Sequence, residues 1–448
     1  MTAPEFPQNS LQMRGPLAVL CLAVFVVMVD STIVQVMVPD LVAMAGGSLE
    51  QALWAVNGFV LVYASLLVTA GRLGGRYGPR ALLLAGLALF GLASLACGLA
   101  AEPWQVIAAR LAQGAGGAMI VPQSLTIIAN AFPRDRRGMA LGVVSTTMAL
   151  AAVVGPLGGG LIVSTWGWRW AFLANVPICA VAILLVRALV PVAPPYRSSA
   201  LDLVGVALVI GALAALTYAL IGTAGNPAAF AVGGILTLVL FAWWERRHTH
   251  PLTPPRLFRD RAFVLAGWLG CAQFLVLSGL MLVISLHVRN VLGGSALDTA
   301  LAFLPMAIAA GILSPLAGAI TDRTGGRTVL TSGMLAMAAG VAGFAALAVR
   351  PAPLLVLAIP LAVVGCGVGL VMAPASAEAV STLPPDLVPV ASGVLNTGRQ
   401  VAALLGVAVA GGALRAGSML ALTLLAGVAV LAAASGLLLR SRSRVLTT

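Results

Sequence analysis

Apolar runs of about twenty residues follow one another from end to end of the chain, and this spacing constrains the fold more than any other feature. At about 1.5 Å per residue, a helix of roughly 20 apolar residues crosses a hydrocarbon core of about 30 Å. Fourteen such segments can be placed, near residues 17–38, 53–70, 81–101, 104–131, 139–164, 170–189, 201–222, 228–245, 262–285, 299–320, 328–348, 353–376, 390–413 and 418–439. Only 8% of the 448 residues are charged, against about a quarter in an ordinary soluble domain. No stretch is left for a soluble domain, so the expected class is an all-α polytopic membrane protein. The first apolar run is 22 residues long. That exceeds the core of a signal peptide, about 7–15 residues, so it is expected to stay as a span.

The formal charge of +12 comes entirely from arginine against 13 acids. In a soluble protein such a charge would suggest a nucleic-acid partner. Here its distribution excludes one. With the N-terminus inside, nineteen Arg fall in intracellular loops and tails, including Arg197, Arg246, Arg247 and the tail residues Arg440, Arg442 and Arg444. Four fall outside, Arg169, Arg289, Arg350 and Arg415. Such a bias predicts cytoplasmic termini and an even number of spans, in the cell (inner or plasma) membrane. Two arginines remain, Arg110 and Arg399, and both lie within spans.

The five Cys sit singly in apolar runs without a CxxC, so neither disulfides nor a metal site is expected. His248 and His250, two residues apart, make a poor metal site, and no metal or other cofactor is predicted. Trp243 and Trp244 beside Arg246 and Arg247 read as an interfacial belt. There is no HExxH, nucleophile elbow or phosphate loop, which argues against an enzyme.

The chain repeats itself. "GRLGGRYGPR" (Gly71, Arg72, Arg76, Gly78, Arg80) joins segments 2 and 3. "GAITDRTGGR" (Gly318, Asp322, Arg323, Gly325, Arg327) joins segments 10 and 11. Glycine allows tight turns, and arginine anchors a loop at the cytoplasmic interface. Two copies at equivalent places indicate duplicated halves. Six-helix halves would put the second copy between helices 8 and 9, so two helices are inserted. The predicted organisation is a six-helix bundle over residues 1–190, a two-helix insertion with Pro-rich linkers over 191–261, and a second six-helix bundle with a tail over 262–448.

With these motifs in hand, the chain resembles the major facilitator superfamily over its whole length, and within it the fourteen-spanning drug:proton antiporter group. "VDSTIVQVMVP" is similar to that group's first-helix pattern and maps its acid to Asp30. "ARLAQGAGGAM" matches R-x-x-Q-G in helix 4 at Arg110, Gln113 and Gly114. "VVGPLGGG" matches the antiporter motif at Gly155, Pro156 and Gly159. "WGWRWAFLANVPI" resembles the opening of helix 6, and "LNTGRQVAALLGVAVA" the pattern of helix 13, with Asn396, Arg399 and Gln400. The chain departs from the pattern at Gly75, where the first loop normally has an acid, and at Gln35, where the first helix has Asn. The tenth helix, "ALAFLPMAIAAGIL", lacks the acid of relatives that export divalent cations.

A lone charge at the bilayer centre costs about 2.5–3.5 kcal/mol on insertion scales. Asp30 therefore needs a partner. Asp30 lies about 12 Å, and Arg110 about 9 Å, from the outer ends of their segments by the helical rise, and the resemblance makes these helices neighbours. Arg110 and Gln113, three apart, share a face beside Gly114 and Gly117, where a helix or a substrate could approach. The expected role is a proton-coupling pair; a purely structural ion pair is the alternative. Gln35, Asn57, Gln113, Asn396, Arg399 and Gln400 are candidate substrate contacts. For Arg399 a structural pair or a gate, with Glu378 at the end of helix 12, is also open. Gly155, Pro156 and Gly159 suit tight packing, and the resemblance implies an interface that resists leak. Asp202 and Asp298 are read as helix caps.

The resemblance implies a proton-driven efflux antiporter for lipophilic neutral or monocationic compounds. Its expected partners are the substrate, protons and the bilayer, and it is expected to act as a monomer. A dedicated exporter of one metabolite or lipid, or a non-transporting sensor or scaffold, are the alternatives.

Overall fold

A computed structural model of the chain describes residues 10–132, 134–192, 202–248, 253–349, 352–384 and 387–439. Arg197, His250, Arg350, Arg440, Arg442, Arg444 and the side chain of Asp322 lie outside what is described. Among the described residues the chain is all-helical. The first half contains α1 (Ser10–Val36), α2 (Val38–Met44), α3 (Leu49–Tyr77), α4 (Pro79–Leu99), α5 (Pro103–Ala131), α6 (Arg134–Trp166), α7 (Trp168–Leu173) and α8 (Asn175–Leu189). Next come α9 (Leu203–Ile221) and α10 (Pro227–Arg247). The rest comprises α11 (Arg261–Asn290), α12 (Ala296–Thr324), α13 (Gly326–Ala348), α14 (Leu354–Val380), α15 (Val388–Leu414) and α16 (Ser418–Gly436).

Local chemistry sets the helix ends. Asp202 caps α9 by accepting from Gly205 N at 2.8 Å, and Asp260 caps α11 from Phe263 N at 2.8 Å. Asp298 is not itself the cap of α12. Ser295 is, accepting from Asp298 N at 3.2 Å, while Asp298 reaches back to Ser295 N at 2.7 Å, a reciprocal box that satisfies two terminal amides. After α1 the chain bends at Met37 because Pro39 has no amide to continue the ladder. Segment 6 is likewise interrupted at Ala174, dividing α7 from α8, where Pro177 cannot donate to the preceding turn.

Thirteen helices among the described residues, counting α7 and α8 together, are long and apolar enough to cross a membrane. The fourteenth segment of the sequence reading, α5, is as long as α3. It falls short only in apolarity, because Arg110, Gln113 and Gln123 interrupt it, and all three are buried. Large apolar side chains such as Leu184, Ile359 and Leu431 are exposed on other helices. In water such surfaces would be a liability, whereas against lipid chains they cost nothing.

Contacts divide the chain into two compact units, Met1–Leu252 with Ser295–Ala300, and Thr253–Gly294 with Leu301–Thr448. Their internal packing repeats. In the first unit α4 packs on α5 and on α8, and α1 on α6 and on α8; in the second, α13 packs on α14 and on α16, and α11 on α15 and on α16. The loop motif is repeated in conformation too. Gly78 and Gly325 precede α4 and α13 with φ of 89° and 84°, a region that side chains other than glycine rarely enter. The α9–α10 hairpin belongs to the first unit and packs on α3. Thr223 donates to Glu50 at the start of α3 through both its amide and its hydroxyl, and Trp244 Nε1 donates to Asp202 at 3.0 Å. The Trp read as an interfacial anchor thus also ties α10 to α9.

Gly155 and Gly159 seat α1 against α6. A Cβ at residue 155 would meet Thr32, and one at 159 would meet Ile33. Replacing Gly159 by Val overpacks this contact, at a cost of about 1–3 kcal/mol. The melting temperature of the purified protein in detergent is expected to fall; an unchanged value would show that the α1–α6 contact yields freely.

Candidate functional site: a buried carboxylate between helices

One turn and a half before the end of α1, Asp30 is fully buried. The apolar face of α1 that buries Val24, Val26 and Val27 carries it inward with them. Burial strips the carboxylate of water, and neighbouring helices supply the replacement. Arg110 of α5 donates from Nη1 to Oδ2 at 2.5 Å, forming an ion pair whose two members are 1% and 0% exposed. Gln113, one turn further along α5, donates from Nε2 to Oδ1 at 2.9 Å. Asn175, the first residue of α8, donates from Nδ2 to the same oxygen at 2.8 Å. Both carboxylate oxygens are thus engaged by charge-assisted bonds.

Arg110 is itself closely held. Its Nη1 also donates to Gln113 Oε1 at 2.6 Å, and its Nε to the carbonyl of Ala55 on α3 at 3.2 Å. The guanidinium lies 4.4 Å from the Phe59 ring and 5.7 Å from that of Phe172, within cation–π range. Ser94 of α4 accepts from Gln113 at 2.8 Å and from Asn175 at 3.4 Å. Six helices of the first unit, α1, α3, α4, α5, α7 and α8, thereby meet at one carboxylate–guanidinium centre. The set supplies a counter-charge and hydrogen-bond donors to a carboxylate that has no access to water.

The structure brings Asp30, Arg110 and Gln113 together as the sequence reading grouped them. Gly114 is occupied by the backbone of α3 at Phe59, so this close approach serves a helix. Asn57 is completely buried with neither amide atom bonded, and Gln35 is buried with Oε1 unbonded. Arg80 of the first loop donates to the Arg187 carbonyl in the last turn of α8 at 2.6 Å. Arg72 feels the charges of Glu245 and Asp202, while Arg76 lies over the Tyr77 ring at 5.6 Å. In the equivalent loop Arg323 is exposed and Arg327 half-buried.

In the second unit, Arg399 has no carboxylate at ion-pair distance among the described residues. Glu378 faces Gly326 at the start of α13 instead. The pairing that the sequence left open for Arg399 and Glu378 is therefore not made. Asn396 and Gln400 are half-exposed beside it.

Sequence reasoning missed Asn175 and Ser94. Asn175 stood inside the helix 6 signature with no role of its own. Its signal was local, since an amide beside Pro177 sits where the helix is interrupted.

Comparison with known proteins gives a consistent result. The Major Facilitator Superfamily model matches residues 20–203 and 192–407. The multidrug resistance protein Stp of Mycobacterium tuberculosis (strain CDC 1551 / Oshkosh) is 31% identical over 402 residues, 88% of this chain and 74% of that protein. The methylenomycin A resistance protein of Streptomyces coelicolor is 34% identical over 393 residues, 85% of this chain and 82% of the relative. Among solved structures, a POT family transporter in complex with 5-aminolevulinic acid superposes with a TM-score of 0.72 at 14% identity, covering 93% of this chain and 94% of that one.

Replacing Arg110 by Ala strands a buried carboxylate and is expected to cost about 3–5 kcal/mol of stability. Asn175→Ala removes one donor and should cost about 1–3 kcal/mol. Thermal melts in detergent would read both. Adding Asp30→Asn to Arg110→Ala should recover part of the loss, and strict additivity of the two changes would contradict the coupling described.

Proposed function

Because this chain belongs to the Major Facilitator Superfamily, we propose that it is a proton-driven efflux antiporter of the fourteen-spanning group, exporting lipophilic neutral or monocationic compounds by alternating access. In coarser terms it is a multi-pass membrane transporter of small molecules and not an enzyme. The finer reading is supported by relatives named for resistance to drugs and to methylenomycin A. The observation that carries it is the buried Asp30–Arg110 pair with its two amide donors.

In this reading Asp30 takes up and releases the proton, and Arg110 is its counter-ion. Arg110 is freed to rebind when the proton leaves. Gln113, Asn175 and Ser94 hold the pair in register. Gln35, Asn57, Asn396 and Gln400 contact substrate, and Glu378 acts in a gate. The loop residues Gly71 to Arg80 and Gly318 to Arg327 face the cytoplasm with both termini, and Gly155, Pro156 and Gly159 keep the α1–α6 interface closed to leak. The protein works as a monomer without a cofactor, on the proton gradient alone.

The driving force is adequate for this. One proton descending 100 mV supplies about 2.3 kcal/mol and one pH unit about 1.4 kcal/mol. Together they support a gradient of several hundredfold for a neutral solute exchanged one for one. A second reading, an exporter dedicated to one compound, draws support from the relative named for methylenomycin A alone.

The test is substrate-induced proton release in inverted vesicles, across a panel of cationic dyes, neutral antibiotics and lipids. Wild-type protein is expected to release protons with at least one class. Asp30→Asn is expected to abolish the pH-dependence of transport, and full coupling retained in that variant would remove Asp30 from the mechanism.

A further inference from the structure

The two intramembrane arginines are treated differently by their surroundings. Arg110 is matched by a carboxylate. Arg399 sits eleven residues into α15, about 16 Å along the helix by its rise. A cation at such depth is costly unless something compensates it. Its Nη2 donates to Ser376 Oγ at 2.7 Å and to the Met372 carbonyl at 3.4 Å. Ser376 spends its own hydrogen on Met372 O at 3.1 Å, which leaves its oxygen to accept. Nε and Nη1 donate to no described residue.

The remaining contacts position the guanidinium without neutralising it. A Cβ on residue 270 would lie 3.1 Å from Nε, so glycine there lets the group rest against α11. The Phe274 ring is 5.8 Å away, in cation–π range. Glu378, the acid on the same helix as Ser376, is turned toward Gly326. Arg399 is partly buried, and Asn396 and Gln400, three residues before it and one after, make no side-chain hydrogen bond among the described residues. What results is a partly buried guanidinium fork with three N–H donors that bond no described residue, amides nearby and an aromatic face beside it. This geometry fits bidentate capture of a planar anion attached to an apolar body.

We propose that Arg399 binds the carboxylate of a lipophilic anion carried by this protein, adding acids to the neutral and cationic compounds above. The inference rests on the reading of the chain as a small-molecule exporter. Phe274 packs the apolar body, and Asn396 and Gln400 complete the polar rim.

The experiment measures binding to the full-length protein in lipid nanodiscs, with no proton gradient. The probes are benzylpenicillin and fusidate, each compared with its own methyl ester, and tetraphenylphosphonium serves as a cationic control. At least one acid is expected to bind about tenfold more tightly than its ester. Arg399→Gln should weaken that acid about tenfold while leaving its ester and tetraphenylphosphonium unchanged. Arg399→Lys, which keeps the charge but loses the fork, should retain part of the acid preference. Acid and ester binding alike, binding of neither acid, or equal loss of all three ligand types in Arg399→Gln would each overturn the proposal. The wild-type comparison stands even where a variant fails to fold. Since the assay needs no gradient, Arg399-dependent acid binding together with absent proton release in inverted vesicles would defeat the antiport reading alone.

Discussion

The ion pair between Asp30 and Arg110 is the constraint on which the arrangement of the first unit depends. A carboxylate and a guanidinium removed from water at 0% and 1% exposure lose their hydration, and that loss must be offset by good geometry and further hydrogen bonds. The unit meets this demand by converging on the pair. α5 contributes Arg110 and Gln113, α8 contributes Asn175, α4 contributes Ser94, and α3 contributes a backbone carbonyl and the Phe59 ring. α1 can be pressed close enough because α6 presents Gly155 and Gly159 to it.

Much of this was legible in the sequence because the membrane makes polar residues conspicuous. An acid among Val, Met and Ile at Asp30, and an arginine within an apolar run at Arg110, are costly in lipid, so each announces a partner. Amides and hydroxyls cost less and stand out less. Asn175 and Ser94 escaped notice for that reason, although they complete the site. The pairing of helices is a property of three dimensions that hydropathy does not encode. The interruption at Ala174 and the role of Ser295 at α12 depended on single backbone bonds, which a count of apolar residues averages away.

The two units share their helix pairings and the left-handed glycine of their loops, yet not their electrostatics. In one, the arginine is locked to an acid; in the other, it is held by a hydroxyl, a carbonyl and an aromatic ring. The same scaffold of pairings thus carries different polar chemistry in the two units. The α9–α10 hairpin stands outside the repeated pairings. It attaches to α3, through Glu50 at one end and near Arg72 at the other.

The interruption at Ala174 has a mechanical meaning. α7 sides with the arginine, since Phe172 lies beside the Arg110 guanidinium and Arg169 donates to the Ala100 carbonyl just beyond α4. α8 sides with the acid, since its first residue grips Asp30. The two members of the pair are thus handled by two lever arms joined at a single residue. A change of angle at the joint would move the Phe172 ring, which flanks Arg110, relative to Asn175, which donates to Asp30.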